Sequence, residues 1–231
     1  MSVIKKLAGQ TLWYGIPTIA YRFLGYLMNM TLPFFIDMPE ETADLVQVYA
    51  MIPFLNAVYA YGLETAYFRF SQTHDRNKLY STLSLSLIGS TIIFTFFMLM
   101  MRGSITLWAG LEHHPEYVLW MIGILAIDNL NTLPFAKLRQ ENRPRMYAFA
   151  RVAAIFTNIG VVIFFVGIVP GILKNHPDSF LSHFYSPTLG IGYYLVGNII
   201  ENIVTLIILQ KELRQIRLTF SVSLWKEVIR Y

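Results

Sequence analysis

Arg22 lies near the middle of residues 12–36, an apolar stretch that holds no other charge. Translocon scales charge roughly 2.5 to 3.5 kcal/mol for Arg at mid-membrane, so a spanning segment that keeps one uses it for pairing or for ligand binding. Its planar, permanently charged fork suits phosphate as well as carboxylate. Three acids stand in comparably apolar surroundings, Glu64, Asp128 and Glu201. Burial disfavours a charged carboxyl, which makes Asp128, and after it Glu201, candidates for coupling transport to a proton or cation.

Polar side chains line up with these charges. Thr18, Arg22, Gly25 and Asn29 recur at i, i+4, i+7 and i+11, one stripe of a helix. Asn56, Ala60 and Glu64 repeat the pattern, as do Asp128 with Asn131 three residues on and Asn129 one position round, and Asn198, Glu201, Asn202 and Thr205. In lipid such seams turn toward the bundle interior or a wet cavity. They admit two uses. One is a substrate-binding wall made of Arg22, Asn29, Asn56, Glu64, Asp128 and Asn131. The other is interhelical cross-linking, typically about 0.6 kcal/mol per hydrogen bond, with Arg22 held by Glu64, Asp128 or Glu201, or with Glu64 and Glu201 simply facing water at the membrane edge.

The elements that must position these residues are membrane helices. The chain is 55% hydrophobic and only 14% charged, with a mean hydropathy of +0.48, whereas a soluble domain carries about 25% charged residues. Runs of the length of one bilayer crossing occupy residues 12–36, 45–68, 79–101, 117–135, 152–172 and 189–209. The expected fold is all-α, a polytopic bundle of six transmembrane helices. Basic residues test this division, because cytoplasmic connectors hold them in excess. Of the 18 Lys and Arg, only Arg102 and Lys174 fall on the opposite connectors, beside Asp37, Glu40, Glu41, Asp44, Glu112, Glu116 and Asp178. Both ends of the chain are therefore expected in the cytoplasm.

Several other readings are set aside. The apolar run after Lys5 and Lys6 is too long for a signal peptide and has no small-residue cleavage pattern. The net charge of +4 is spread over four basic segments rather than clustered as in a nucleic-acid module, so orientation and anionic lipid headgroups account for it and nucleic acid is not an expected partner. Cys is absent, which excludes disulfides and Cys-based metal sites. The adjacent His113 and His114 have no matching ligand cluster. No metal, cofactor or enzymatic nucleophile is expected. The outer connector 173–188 carries Phe180, Leu181, Phe184 and Tyr185, which reads as an aromatic belt anchor or as a cap over a cavity. Pro17, Pro33 and Pro53, with Gly15, Gly25 and Gly62, permit kinks and close approach.

The run Ala8-Gly9-Gln10-Thr11-Leu12-Trp13-Tyr14-Gly15, the segment Tyr21-Arg22-Phe23-Leu24-Gly25, and Gly62-Leu63-Glu64-Thr65-Ala66-Tyr67-Phe68-Arg69-Phe70 with its basic following loop resemble the bacterial polysaccharide biosynthesis proteins. These are oligosaccharide flippases of the superfamily that includes the lipid II flippases and the multidrug and toxic compound extrusion transporters. The resemblance implies two bundles of six helices that rock about a central cavity and carry an undecaprenyl-pyrophosphate-linked glycan across the inner membrane. It also implies that cationic side chains in the cavity meet the pyrophosphate. Arg22 matches the arginine of a first-helix Ser-Arg-x-Leu-Gly pattern in the lipid II flippases, with Tyr21 in place of the serine. A second arginine of that pattern falls at Met28, a departure that favours a lipid-linked saccharide other than lipid II.

Six spans make one bundle, whereas rocking requires two. Beyond the last span, residues 211–217 are basic, and Leu224, Trp225, Val228 and Ile229 follow at helical spacing like the lead-in to a seventh span. The expected organisation is thus a six-helix N-lobe over residues 1–210 and a cytoplasmic interfacial segment over 211–231 leading to a C-terminal lobe, or less readily to a second copy of the chain. The expected function is export of a lipid-linked oligosaccharide by alternating access. The alternative is a cation-coupled drug or metabolite antiporter.

Overall fold

The computed structural model describes Gly15, Ile19 and residues 39–230. Among the described residues the structure is all-helical, without strands. The first expected span, 12–36, lies outside the described residues apart from Gly15 and Ile19. Five helical stretches are long and apolar enough to cross a membrane: Thr42–Ala60, Arg76–Met100, Glu116–Gln140, Pro144–Asn175 and Pro187–Ile208. They correspond in order to the other five expected spans, with shifted ends.

Helix α1 (Pro39–Ala60) ends where Tyr61 and Gly62 take positive φ of 31° and 76°. The chain then resumes as α2 (Leu63–Phe70). The sequence suggests one continuous span over 45–68; the left-handed pair interrupts it, because such a turn cannot propagate a right-handed helix. Helix α3 (Arg76–Met100) starts where the Asp75 carboxylate accepts a hydrogen bond from the Lys78 N–H at 2.7 Å. At 25 residues it is about 37 Å long, more than one hydrocarbon core. A short helix α4 (Arg102–Trp108) follows and is terminated at Gly110, φ 68°.

Helix α5 (Glu116–Gln140) is the hub, the most buried of the five long helices. Glu116 lies in its first turn and Lys137 and Arg139 in its last, matching the helix dipole. Pro144 then starts α6 (Pro144–Val162) at a position that tolerates the missing N–H. The helix passes through a π turn, Ile163–Ile168, into α7 (Val169–Asn175). Pro170 has no N–H to give the preceding turn, and the Val169 N–H bonds Phe164 O five residues back. Thus Lys137, Arg139 and Arg151 stand within helices. The apolar runs 117–135 and 152–172 place them in a connector, whereas backbone hydrogen bonding continues the helices through these long cationic side chains.

Helix α8 (Tyr193–Ile208) leads to a single turn α9 (Gln210–Leu213) and, after an extended stretch, to α10 (Val222–Ile229). Residues 211–230 fold back on the bundle. The Arg217 and Ser221 N–H groups bond Ser81 and Thr82 at 3.1 and 3.3 Å, and the Trp225 indole donates to Ser86 at 2.8 Å. Leu224 and Val228 join a core with Leu63, Tyr67, Leu79, Leu83 and Leu133. A second core at the other end gathers Leu45, Met98, Leu111, Tyr117, Leu125 and Leu195. These two cores place the α2–α3, α5–α6 and post-α8 connectors together, so the basic connectors share one end of the bundle.

Candidate functional site

Tyr49 and Asn56 are seven residues apart on α1, two turns along one face. Each meets a partner helix. The Asn56 amide donates to Asp128 Oδ2 on α5 at 2.9 Å. The Asn198 amide on α8 donates to the Tyr49 hydroxyl and also to Tyr194 O at 2.9 Å. Pro53 lies between these contacts and removes the N–H that would bond Tyr49 O, which makes α1 more deformable there. Asn56, Asp128 and Asn198 are half-buried. Asp128 also feels the charge of Arg151, on α6. The Arg151 guanidinium stands over the Phe135 ring, 4.0 Å from its centroid. The result is a polar seam in which amides and a carboxylate are hydrogen-bonded between α1, α5 and α8, with Arg151 of α6 near enough for its charge to act on Asp128.

The remaining seam residues divide by burial. Asn129 is buried and donates to Thr91 Oγ1 at 2.6 Å and to Tyr59 O at 3.3 Å, joining α1, α3 and α5. Asn131 is also buried, with its amide 3.4 Å from both Asn202 O and Asn202 Oδ1, while its own Oδ1 has no hydrogen-bond partner. These two amides sit between helices. Glu201 is buried on α8, and Thr205 donates to its backbone oxygen at 2.9 Å. Glu64 lies apart from the seam, half-exposed at the basic end and ion-paired with Arg139. The structure therefore brings together Asn56 and Asp128 and places Asn131 and Glu64 elsewhere. Arg22 and Asn29 lie outside the described residues.

At the basic end a second polar assembly ties the post-α8 segment down. Glu212 is fully buried; its Oε1 accepts from Arg143 at 2.5 Å, and its backbone oxygen from the Tyr80 hydroxyl at 3.2 Å. Lys137, also buried, donates to Gln215 Oε1 at 2.7 Å, pairs with Glu141 at 3.4 Å and stands 4.3 Å from the Tyr80 ring centroid. Burial of Arg143 alone would lower its proton affinity, but the hydrogen bonds and charges of Glu212 and Glu141 outweigh this and raise it above the ordinary arginine value. Sequence reasoning missed this assembly. Its signal was Glu212, a lone acid in the basic stretch 211–217.

The other residues of interest have local roles. His114 contacts Glu116 at 2.9 Å and stacks on Tyr117, with centroids 4.7 Å apart. Tyr185 and Phe165 both stack on Tyr193, while Phe180 and Phe184 are exposed, so the 173–188 connector is pinned at one point and turns two aromatic rings outward. Compared with protein-family models, curated proteins and solved structures, the chain matches none.

Proposed function

We propose that this chain is the N-terminal lobe of a transporter that moves a lipid-linked oligosaccharide across the bacterial cytoplasmic membrane by alternating access, with the basic end of the bundle in the cytoplasm. The observation that carries the reading is the half-buried Asn56–Asp128 pair on two membrane-length helices, within electrostatic reach of Arg151. Ionisable groups inside a membrane bundle mark substrate or ion pathways. Interrupted helices are a recurrent feature of transporter sites, and the Tyr61–Gly62 break, Pro53 and the π turn before Pro170 supply interruptions here. The six-span count, the membrane and the substrate class rest on the sequence reading, in which Arg22 meets the pyrophosphate.

The test is export of cell-surface glycan in a deletion strain complemented by variants whose insertion is verified by surface labelling. Arg22→Ala abolishes export while insertion persists, and Asp128→Asn or Asn56→Ala reduces it. Normal export in the Arg22 variant overturns that residue's role. Asp128 also favours a second reading, a cation-coupled antiporter, since a carboxyl on the seam can exchange a proton or cation for a substrate. Drug resistance that depends on Asp128, with no glycan defect, would select it.

A further inference from the structure

We infer that Ser86 is the joint through which the segment after α8 holds the break between α1 and α2, so that undocking α10 frees α1 to move against the bundle. Ser86 Oγ lies 2.8 Å from the Tyr61 hydroxyl and accepts from the Trp225 indole N–H at 2.8 Å. Tyr61 directly follows α1, Trp225 belongs to α10, and Ser86 is on α3. One hydroxyl thus ties three parts of the chain together. Ser and Thr hydroxyls inside helices commonly bond a carbonyl of their own preceding turn. Ser90 and Thr91 do so, donating to Leu87 O at 3.0 and 2.6 Å. Ser86 bonds the α1–α2 break and α10 instead. With the indole N–H on one lone pair, its bond with Tyr61 is directed and polarised; without the indole, the hydroxyl is free to rotate back onto its own helix.

Tyr61 needs to be held. Its φ of 31° is a left-handed conformation that a bulky residue keeps only where its surroundings fix it. The Tyr61 N–H bonds Ala57 O at 3.0 Å to close α1, and the Ala66 N–H bonds Gly62 O at 3.1 Å to open α2, so the two helices meet at this residue. The segment after α8 grips the same place a second time, because Leu224 and Val228 share a core with Leu63 and Tyr67 of α2, and Tyr61 packs against that core. There is also room to move. Tyr61, Ser86 and Trp225 border a cavity of about 450 Å³ whose lining includes Gly89, Ser90, Phe94 and Phe220. A tyrosine ring released from Ser86 can turn into that space, which a close-packed interior would deny it. The inference rests on the transport reading for its purpose, since the segment after α8 is the one expected to lead to a second lobe, and a pull from there reaches α1 through Ser86. Its test measures conformation, not transport.

Hydrogen exchange of the purified full chain in phosphatidylcholine nanodiscs, read by mass spectrometry on peptides covering 57–66, 222–229 and, as reference, α6, tests the joint. Trp225→Phe keeps an aromatic ring but removes the N–H. It is expected to speed exchange across 57–66 roughly two- to tenfold, the range over which one hydrogen bond shifts a local opening, with α6 unchanged. Tyr61→Phe should speed exchange across 57–66 and, because coupling is reciprocal, across 222–229 as well. Combining the two Phe variants should add little, since both cut one link. Ser86→Ala should match them, and Ser86→Thr, which keeps the hydroxyl beside the cavity, should retain the parent rates. Unchanged exchange across 57–66 in Trp225→Phe, an equal rise in α6, or full additivity of the two Phe variants overturns the joint. Should Trp225→Phe fail to fold, the reciprocal arm decides: a Tyr61→Phe effect confined to 57–66, or equal rates in Ser86→Thr and Ser86→Ala, overturns it. The expected exchange in a protein that exports no glycan would uphold the joint and overturn only the transport reading.

Discussion

Asn56 and Asp128, 72 residues apart in sequence, share a hydrogen bond of 2.9 Å that fastens the kinkable helix α1 to the central helix α5. The pair is half-buried, and the other described carboxylate on a facing helix, Glu201, is buried on α8. A bond of this type in a membrane bundle has a typical coupling energy of about 0.6 kcal/mol and at most about 1.7. A double-mutant cycle of Asn56→Ala and Asp128→Ala, read by unfolding in mixed micelles, is therefore expected to give a coupling of about 1 kcal/mol. A coupling indistinguishable from zero would mean that the bond does not hold α1, leaving the seam without its fastening.

Gly62 tests the helix break. Its φ of 76° is a left-handed conformation, and a Cβ there would meet nothing within 4 Å, so any cost of a side chain is conformational rather than steric. Gly62→Ala should destabilise by about 1 kcal/mol, and Gly62→Asn by less, since Asn tolerates this region. Thermal melting in detergent measures both. If Asn were as harmful as Ala, the left-handed turn would not be the source of the cost.

Much of the fold is legible because the hydrocarbon core imposes a length: uncharged or nearly uncharged runs locate the five long helices, Thr42–Ala60 through Pro187–Ile208. Their ends were less legible. Arg151 is charged, yet it stands within α6, its guanidinium over the Phe135 ring. Spacing also told which residues share a face, but not which helix that face meets. Asn56 and Glu64 fit one stripe in sequence, yet the turn at Tyr61–Gly62 sends Asn56 to Asp128 and Glu64 to Arg139. The return of residues 211–230 depends on Ser81, Thr82 and Ser86 of α3, polar positions in an apolar helix that local patterning cannot connect with a segment more than 130 residues later.

Gly197 sets how closely α6 and α8 approach. A Cβ there would lie 3.3 Å from both Asn158 Nδ2 and Val162 Cγ2, tight enough to require a small shift of two side chains. Small residues at such contacts let membrane helices pack backbone to backbone. Gly197→Ala should cost less than about 1 kcal/mol and Gly197→Leu about 2 to 3, by overpacking. The same melting assay decides the matter, and a Leu variant as stable as the parent would mean that α6 and α8 can separate freely.

Arg143 and Glu212 set the firmness of the basic end. Glu212 is fully buried, one oxygen accepting from Arg143 at 2.5 Å and the other without a hydrogen-bond partner. Removing the cation strands a buried carboxylate, which typically costs about 3 kcal/mol or more. Arg143→Ala should therefore lower the melting temperature sharply, whereas Glu212→Gln, which keeps an acceptor and removes the charge, should be mild. Adding Glu212→Gln to Arg143→Ala should restore part of the loss. Because Glu212 and Glu141 raise the Arg143 proton affinity above its ordinary value, its contribution is fully present below the unfolded arginine pKa and is lost only as pH rises through the higher folded value. Alkaline titration to about pH 10 should leave it intact. If the double variant were no more stable than Arg143→Ala alone, the penalty would come from lost packing of the arginine stem and not from the stranded charge.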